Sequence, residues 1–446
     1  MRGWSIGRLV RAALLLGLLF WPYGAGPPAS AAFASSQMAG AGCQQSPILY
    51  SYSGAIYASY EGQEPRRLAS GLNLPHDLRW APGCKRYGFI DSGSLWVGTL
   101  GGEIATALVP GWVNSFFWRP DGEALAIEAE RVACGGRLSG GSDISRSDTF
   151  LAQMPTLSIK PVSQDCRTSP LGWSSDGTRV LLARQVTYAL PCEPAMGGCP
   201  ASDILACEAG SGQCKVLITQ RRLAEEHKDV SELIHWNAEQ HVLYVRSLDL
   251  NFGGTGRLLA LDESTARTLR SFDAEAAHYL GGGLIGIQER IVEDPDQGFV
   301  WKPMILNEHG PVLEGFPLLG PFGWSPSGLW MNTGSGPSGE ISFSTRTKAN
   351  VWRFRLPAGF GACAYGAWTA RDTAVAVGYE DAVRQGRFAL QLWEINPATE
   401  RARLLMQGDA ALDPREPYPS IMACGAVTFS NPFAPALSVA TWDPGR

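Results

Sequence analysis

The sequence predicts an all-β fold, a single β-propeller of four-stranded antiparallel blades, and three features carry that prediction. A Trp-turn-strand motif recurs along most of the chain. The stretches between its copies hold two further short strands each. The two ends of the repeat region read as complementary parts of one blade.

The motif is clearest in "LGWSSDGTRVLLA" around Trp173. It returns as "LRWAPGCKRYGFI" at Trp80, "FFWRPDGEALAIE" at Trp118, "IHWNAEQHVLYVR" at Trp236, "FGWSPSGLWM" at Trp324 and "GAWTARDTAVAVG" at Trp368. The gap from Trp236 to Trp324 is twice that from Trp324 to Trp368. A copy without its Trp is therefore expected near the midpoint, and "HYLGGGLIGIQERIV" from His278 occupies that place. The repeat count is then seven.

Each copy reads as strand, tight turn, strand. In "RPDG" and "SSDG" the Pro or Ser suits the first central position of a type I turn and Asp the second, with Gly in the left-handed position that closes a bulged hairpin. The runs that follow, such as "EALAIEAE" and "RVLLARQ", have the aliphatic, alternating character of half-buried strands. Two more strands complete a period: "SLWVGTL" and "EIATALV" after Trp80, "GRLLALD" and "ARTLRSF" after Trp236. The Trp ends the inner strand, where one flat ring can bury 150–250 Å² in the wedge between neighbouring blades. Repeated core packing accounts for six such residues better than a stacking platform for sugars or bases.

The segment "PILYSYSGAIYASYEGQEPRRL", Pro47 to Leu68, resembles the later strands of a blade, and "ACGAVTFSNPFAPALSVATW", Ala423 to Trp442, the first strands. Joined, they form a composite blade that pairs both edges an open array would expose. Seven repeats plus this composite predict eight blades. Seven is the alternative, because the copy at His278 lacks its Trp.

These residues resemble a family. Trp-x-Pro-x-Gly or Trp-Ser-x-Asp-Gly followed by a short aliphatic strand is similar to the repeat of the TolB-type, WD-like bacterial β-propellers, closest in "FFWRPDGEALAI", "LGWSSDGTRVLLA" and "FGWSPSG". Trp236 lacks the Gly turn, Trp368 has Arg371-Asp372 in its place, and the His278 copy has no Trp. The resemblance implies exported scaffolds that bind other proteins, or recognition domains attached to enzymes. It does not imply one activity.

The N-terminus supports export. Arg2, Arg8 and Arg11 precede an apolar run from Ala12 to Trp21, and "PPASAAFA" offers Ala-x-Ala cleavage sites. Residues 1–34 are expected to be a signal peptide and its cleavage region, 35–46 a short linker, and 47–442 the propeller. About ten apolar residues are too few to span a bilayer as a helix, so no retained membrane span is expected. Cys43 in "AGAGC" is the one position for lipid anchoring, but it trails the apolar run and lacks a preceding Leu. The chain is predicted to be exported, periplasmic or extracellular.

The 446 residues carry 37 Lys and Arg against 42 Asp and Glu, a balance with no basic face for nucleic acid. Ten Cys in an exported chain predict disulfides. Cys207 and Cys214 flank the hairpin tip "EAGSGQ", and Cys192 and Cys199 have the same separation; these gaps are longer than those of a zinc knuckle. Cys43 with Cys84, Cys134 with Cys166, and Cys363 with Cys424 complete the candidate pairings.

Chemistry is harder to find. "GGSDI" and "GPSGE" fail the Gly-x-Ser-x-Gly nucleophile pattern, and "SSDGTRVL" lacks the spacing and Trp of a sialidase Asp box. The acidic "EDPDQG", Glu293 to Gly298, lacks the spacing of a calcium loop and reads as a solvated hairpin tip. None of the six His has metal-ligand spacing, with His235 and His241 expected on the blade surface and His309 in a turn. No cofactor and no metal are predicted.

One constellation remains. Positions three and four before each motif Trp should face the mouth of the central channel: His76, Asp77, Asn114, Ser115, Ser169, Glu232 and Tyr365. Two function classes follow. The favoured one is a non-catalytic scaffold for another exported protein, a peptide or a glycan. The alternative is a hydrolase or lyase using His76, Asp77 and Glu232 as acid and base.

Overall fold

The computed structural model describes residues 47–73, 75–131, 147–185, 202–219, 221–222, 228–249, 256–274, 276–294, 298–315, 318–319, 323–334, 338–345, 347–363, 367–369, 371–380, 386–411 and 437–439. The architecture is all-β, eight four-stranded antiparallel blades arranged as a β-propeller. Blades 1 to 7 follow chain order. Their inner strands are His76–Trp80, Trp112–Trp118, Thr168–Trp173, Lys228–Asn237, Ala276–Gly281, Gly323–Trp324, and Phe360–Ala362 with Ala367–Trp368. The copy without a Trp at His278 is a full blade, so the count of eight holds.

Blade 8 is the composite. Leu437–Val439 pairs with Ile48–Tyr52, which continues to Ala55–Ser59 and Arg66–Ser70. The cores show the closure directly. Eight clusters of buried side chains each combine residues of two consecutive blades, and two of them flank the composite. Ile48 and Tyr50 pack with Val375, Val377 and Leu390 of blade 7; Leu49 and Ile56 pack with Leu78, Trp80 and Phe89 of blade 1.

All six motif Trp residues are at most 8% exposed, which settles their role as packing. Several also tie one blade to the last. The Trp173 indole N–H donates to the Phe117 carbonyl at 3.0 Å, and that of Trp368 to the Gly323 carbonyl at 3.3 Å, in each case the residue before the preceding motif Trp. The Trp236 indole instead donates to Glu263, which also binds Arg179 of blade 3. In blade 5, Leu280 stands where the Trp would be and packs with Trp324.

The turns follow the expected chemistry. Gly122, Gly177 and Gly328 have φ of 72°, 68° and 65°, and each N–H closes the turn at 2.8 Å. Gly122 has a second constraint, since a Cβ there would lie 2.8 Å from the Pro82 carbonyl oxygen of blade 1. Copies without this Gly keep the conformation with another residue: Cys84, His241 and Asp372 have φ of 54°, 57° and 57°.

Cys207 and Cys214 form a disulfide directly across the hairpin of blade 3. Cys84, Cys166 and Cys363 are also disulfide-bonded. Cys43, Cys134, Cys192, Cys199 and Cys424, together with the expected signal and linker segments, lie outside the described residues. The acidic stretch at Glu293 forms the end of a long hairpin, with Glu293 opposite Phe299 and Asp294 opposite Gly298. Among the described residues no helix is long and apolar enough to cross a membrane.

Candidate functional site

The motif Trp ends each inner strand, so the strand beginnings gather at the opposite end of the ring. The crossings between blades arrive at that end, and the hairpins between second and third strands turn there. Of the seven predicted positions, six are described, all in inner strands; Tyr365 lies outside the described residues.

In blade 1, His76 and Asp77 open the inner strand, where the pairing slips between His76 and Arg79. Asp77 adopts φ 53° and receives the Arg79 guanidinium at 2.7 Å. Arg79 reaches across to donate to the Phe116 carbonyl at 2.8 Å and lies over the Phe116 and Phe117 rings. Asp77 thus orients an arginine that fastens blade 1 to blade 2. His76 is half-buried, and that burial lowers its pKa against the opposing pull of the Asp77 and Asp91 carboxylates.

Ser115 and Ser169 come together on a residue that the sequence did not single out. Both donate to the Glu128 carboxylate at 2.9 Å, and Ser147 does so at 2.8 Å. Three hydroxyls from two blades converge there, which locks the mouth between blades 2 and 3. Asn114, beside a bulge in the same strand, is exposed. Glu232 sits three blades from His76 and pairs with Arg246 of its own blade at 3.5 Å. The arrangement therefore does not present His76, Asp77 and Glu232 as one acid-base unit. Among the described residues no three His, Cys, Asp or Glu side chains gather as a metal site.

The histidines expected on the surface divide. His241 and His309 are exposed in turns, while His235 is buried, a correction with a clear cause. A slip in pairing between Leu233 and His235 turns its ring toward blade 5, where it stacks on Tyr279 with centroids 3.8 Å apart.

Sequence reasoning also missed the most exposed apolar side chains of this mouth. Leu108, in the connection between blades 1 and 2, and Trp112, which opens the inner strand of blade 2, are 85% and 58% exposed. The indole is not loose. It lies against the tight turn at Gly93, whose φ of 73° and missing side chain leave room for it; a Cβ there would overlap the ring. The signal was present in "LVPGW", an apolar connection outside the motif register. Gly93→Ala is expected to lower stability by about 1–3 kcal/mol by displacing either turn or indole, as measured by urea denaturation.

No protein-family model and no curated protein matches the sequence. Solved structures do match. Dihydro-heme d1 dehydrogenase NirN in complex with DHE aligns over 83% of this chain and 74% of its own, at 11% identity and a TM-score of 0.52. TolB from Acinetobacter baumannii is also similar, at 13% identity and a TM-score of 0.33, over 61% of this chain and 65% of its own. An oligogalacturonate lyase in complex with manganese covers 63% and 79%, at 12% identity and a TM-score of 0.45. The chain spans less than two thirds of the TolB structure's length. Likeness at these identities shows the propeller fold alone.

Proposed function

We propose that this protein is an exported, non-catalytic propeller that binds another exported polypeptide through the end of the ring where the inner strands begin. One observation carries this reading: Leu108 and the seated indole of Trp112 stand exposed on that end. The carboxylates Asp77, Glu128 and Glu232 of blades 1, 2 and 4 are engaged by Arg79, by three serines and by Arg246. Fixed aromatic and aliphatic side chains amid satisfied polar groups suit an interface, because rigid rings bury apolar area at little entropic cost. Export is supported by the N-terminal pattern together with the disulfide between Cys207 and Cys214.

Photo-crosslinking in the source cells tests the reading. A benzophenone amino acid at position 108 is expected to capture a discrete protein, and Trp112→Ser to abolish capture while the protein stays folded at the temperature of the assay. Leu329 is 44% exposed at the Trp-bearing end and serves as control. Equal capture at 108 and 329, or capture that survives Trp112→Ser, would refute it. A glycan recovered in place of a protein would change the partner class.

A further inference from the structure

We propose that the seam between blades 4 and 5 is an acid-responsive latch, closed while His235 is neutral and loosened when it takes up a proton. It stands independently of the binding reading above. His235 comes from the inner strand of blade 4 and is 6% exposed. Its ring lies parallel to that of Tyr279 of blade 5, with an interplanar angle of 4°, and near Tyr244 of its own blade. No hydrogen bond to its ring nitrogens is seen among the described residues. Stacking therefore holds a polar ring that has no charged neighbour among the described residues. Ile234, Leu258, Ala277, Ile285 and Ile287 fill the rest of the seam with aliphatic groups.

His278 lies one residue before Tyr279 on the facing strand. Its charged neighbour is Arg246, which pairs with Glu232. Tyr244, facing the same seam, has Arg270 and Glu308 in its surroundings. Protonating His235 would place a charge between tyrosine rings and aliphatic side chains, with no carboxylate beside it among the described residues.

The direction follows from linkage. Burial lowers the His235 pKa to about 4, against 6.5 for the free side chain. His278, on the facing strand, is solvent-exposed and is not part of the latch. At neutral pH His235 does not penalise the closed seam. As pH falls below about 6.5 the opened state binds protons that the closed one refuses, so opening is favoured progressively down to about pH 4. For His235 alone the opening equilibrium shifts roughly 30-fold between pH 7.5 and pH 5.

Hydrogen-deuterium exchange of the full chain, corrected for the intrinsic pH dependence of exchange, tests the latch. Peptides covering 228–237 and 276–281 are expected to lose protection roughly 30-fold more between pH 7.5 and pH 5 than those covering 168–185. Those control strands belong to the seam of blades 2 and 3, which contains no histidine. His235→Phe keeps a flat ring for the stack and is expected to remove most of the excess; His278→Gln, at the exposed position on the facing strand, should leave it unchanged. Equal acid response at both seams, or a His235→Phe protein that responds like the wild type, would overturn the proposal. The wild-type comparison of the two seams decides the matter by itself if a variant fails to fold.

Discussion

Trp173→Ala is expected to destabilise the protein by about 3–5 kcal/mol, the largest loss from any single substitution considered. The indole is 2% exposed and packs between Ala124, Ala126 and Leu151 of blade 2 and Val180, Leu182 and Leu205 of its own blade. Its neighbours on the blade 2 side include two alanines, which have no side chain to swing into the space left behind. The substitution also removes the hydrogen bond from the indole N–H to the Phe117 carbonyl across the blade boundary. Trp173→Phe should recover part of the loss, because it restores most of the ring but not the N–H. Urea denaturation followed by circular dichroism measures both. A midpoint for Trp173→Ala equal to that of the parent would mean that the repeated Trp does not hold the blades together.

A chain ending at residue 436 is expected to fare worse still. It lacks Leu437–Val439, the strand opposite Tyr50, Ser51 and Tyr52. The inner edge of Ile48–Tyr52 then has no partner, at the joint where two inter-blade cores meet. Unpaired edges recruit other chains, so the truncated protein should elute as oligomers or aggregate. Its melting should be broad and displaced downward relative to the full chain. Size-exclusion chromatography with light scattering and a thermal melt check this. A monomer melting like the full chain would show that the ring is closed by other contacts.

Much of this architecture was legible in the residues themselves. Trp80, Trp118, Trp173, Trp236, Trp324 and Trp368 mark the inner strands because their periodicity records a local need, to fill the same wedge in every blade. The turn position four or five residues later was legible where Gly stands there. It was hidden at Cys84, His241 and Asp372, where the surrounding hairpin imposes a left-handed backbone on residues that do not advertise it. The copy at His278 was found by spacing, and Leu280 takes the place of its ring.

The mouth was legible only as a set of positions. That His76, Asp77, Asn114, Ser115, Ser169 and Glu232 lie at one end follows from strand register, which the motif supplies. Their partners do not follow. Glu128 gathers Ser115, Ser147 and Ser169 from separate strands, and Arg79 turns Asp77 into a fastener for the next blade. Bulges at Val113 and Leu233 redirect side chains by one residue, which is how His235 came to lie inside a seam.

By itself, then, the sequence determined the blade, its repetition and the joining of its two ends, because strand alternation, turn chemistry and Trp spacing are local properties written in consecutive residues. Only the tertiary structure decided which polar groups neutralise one another, which histidine is buried and which tryptophan is left exposed. Those outcomes depend on contacts between blades, where bulges and crossings bring together residues with no fixed relation along the chain.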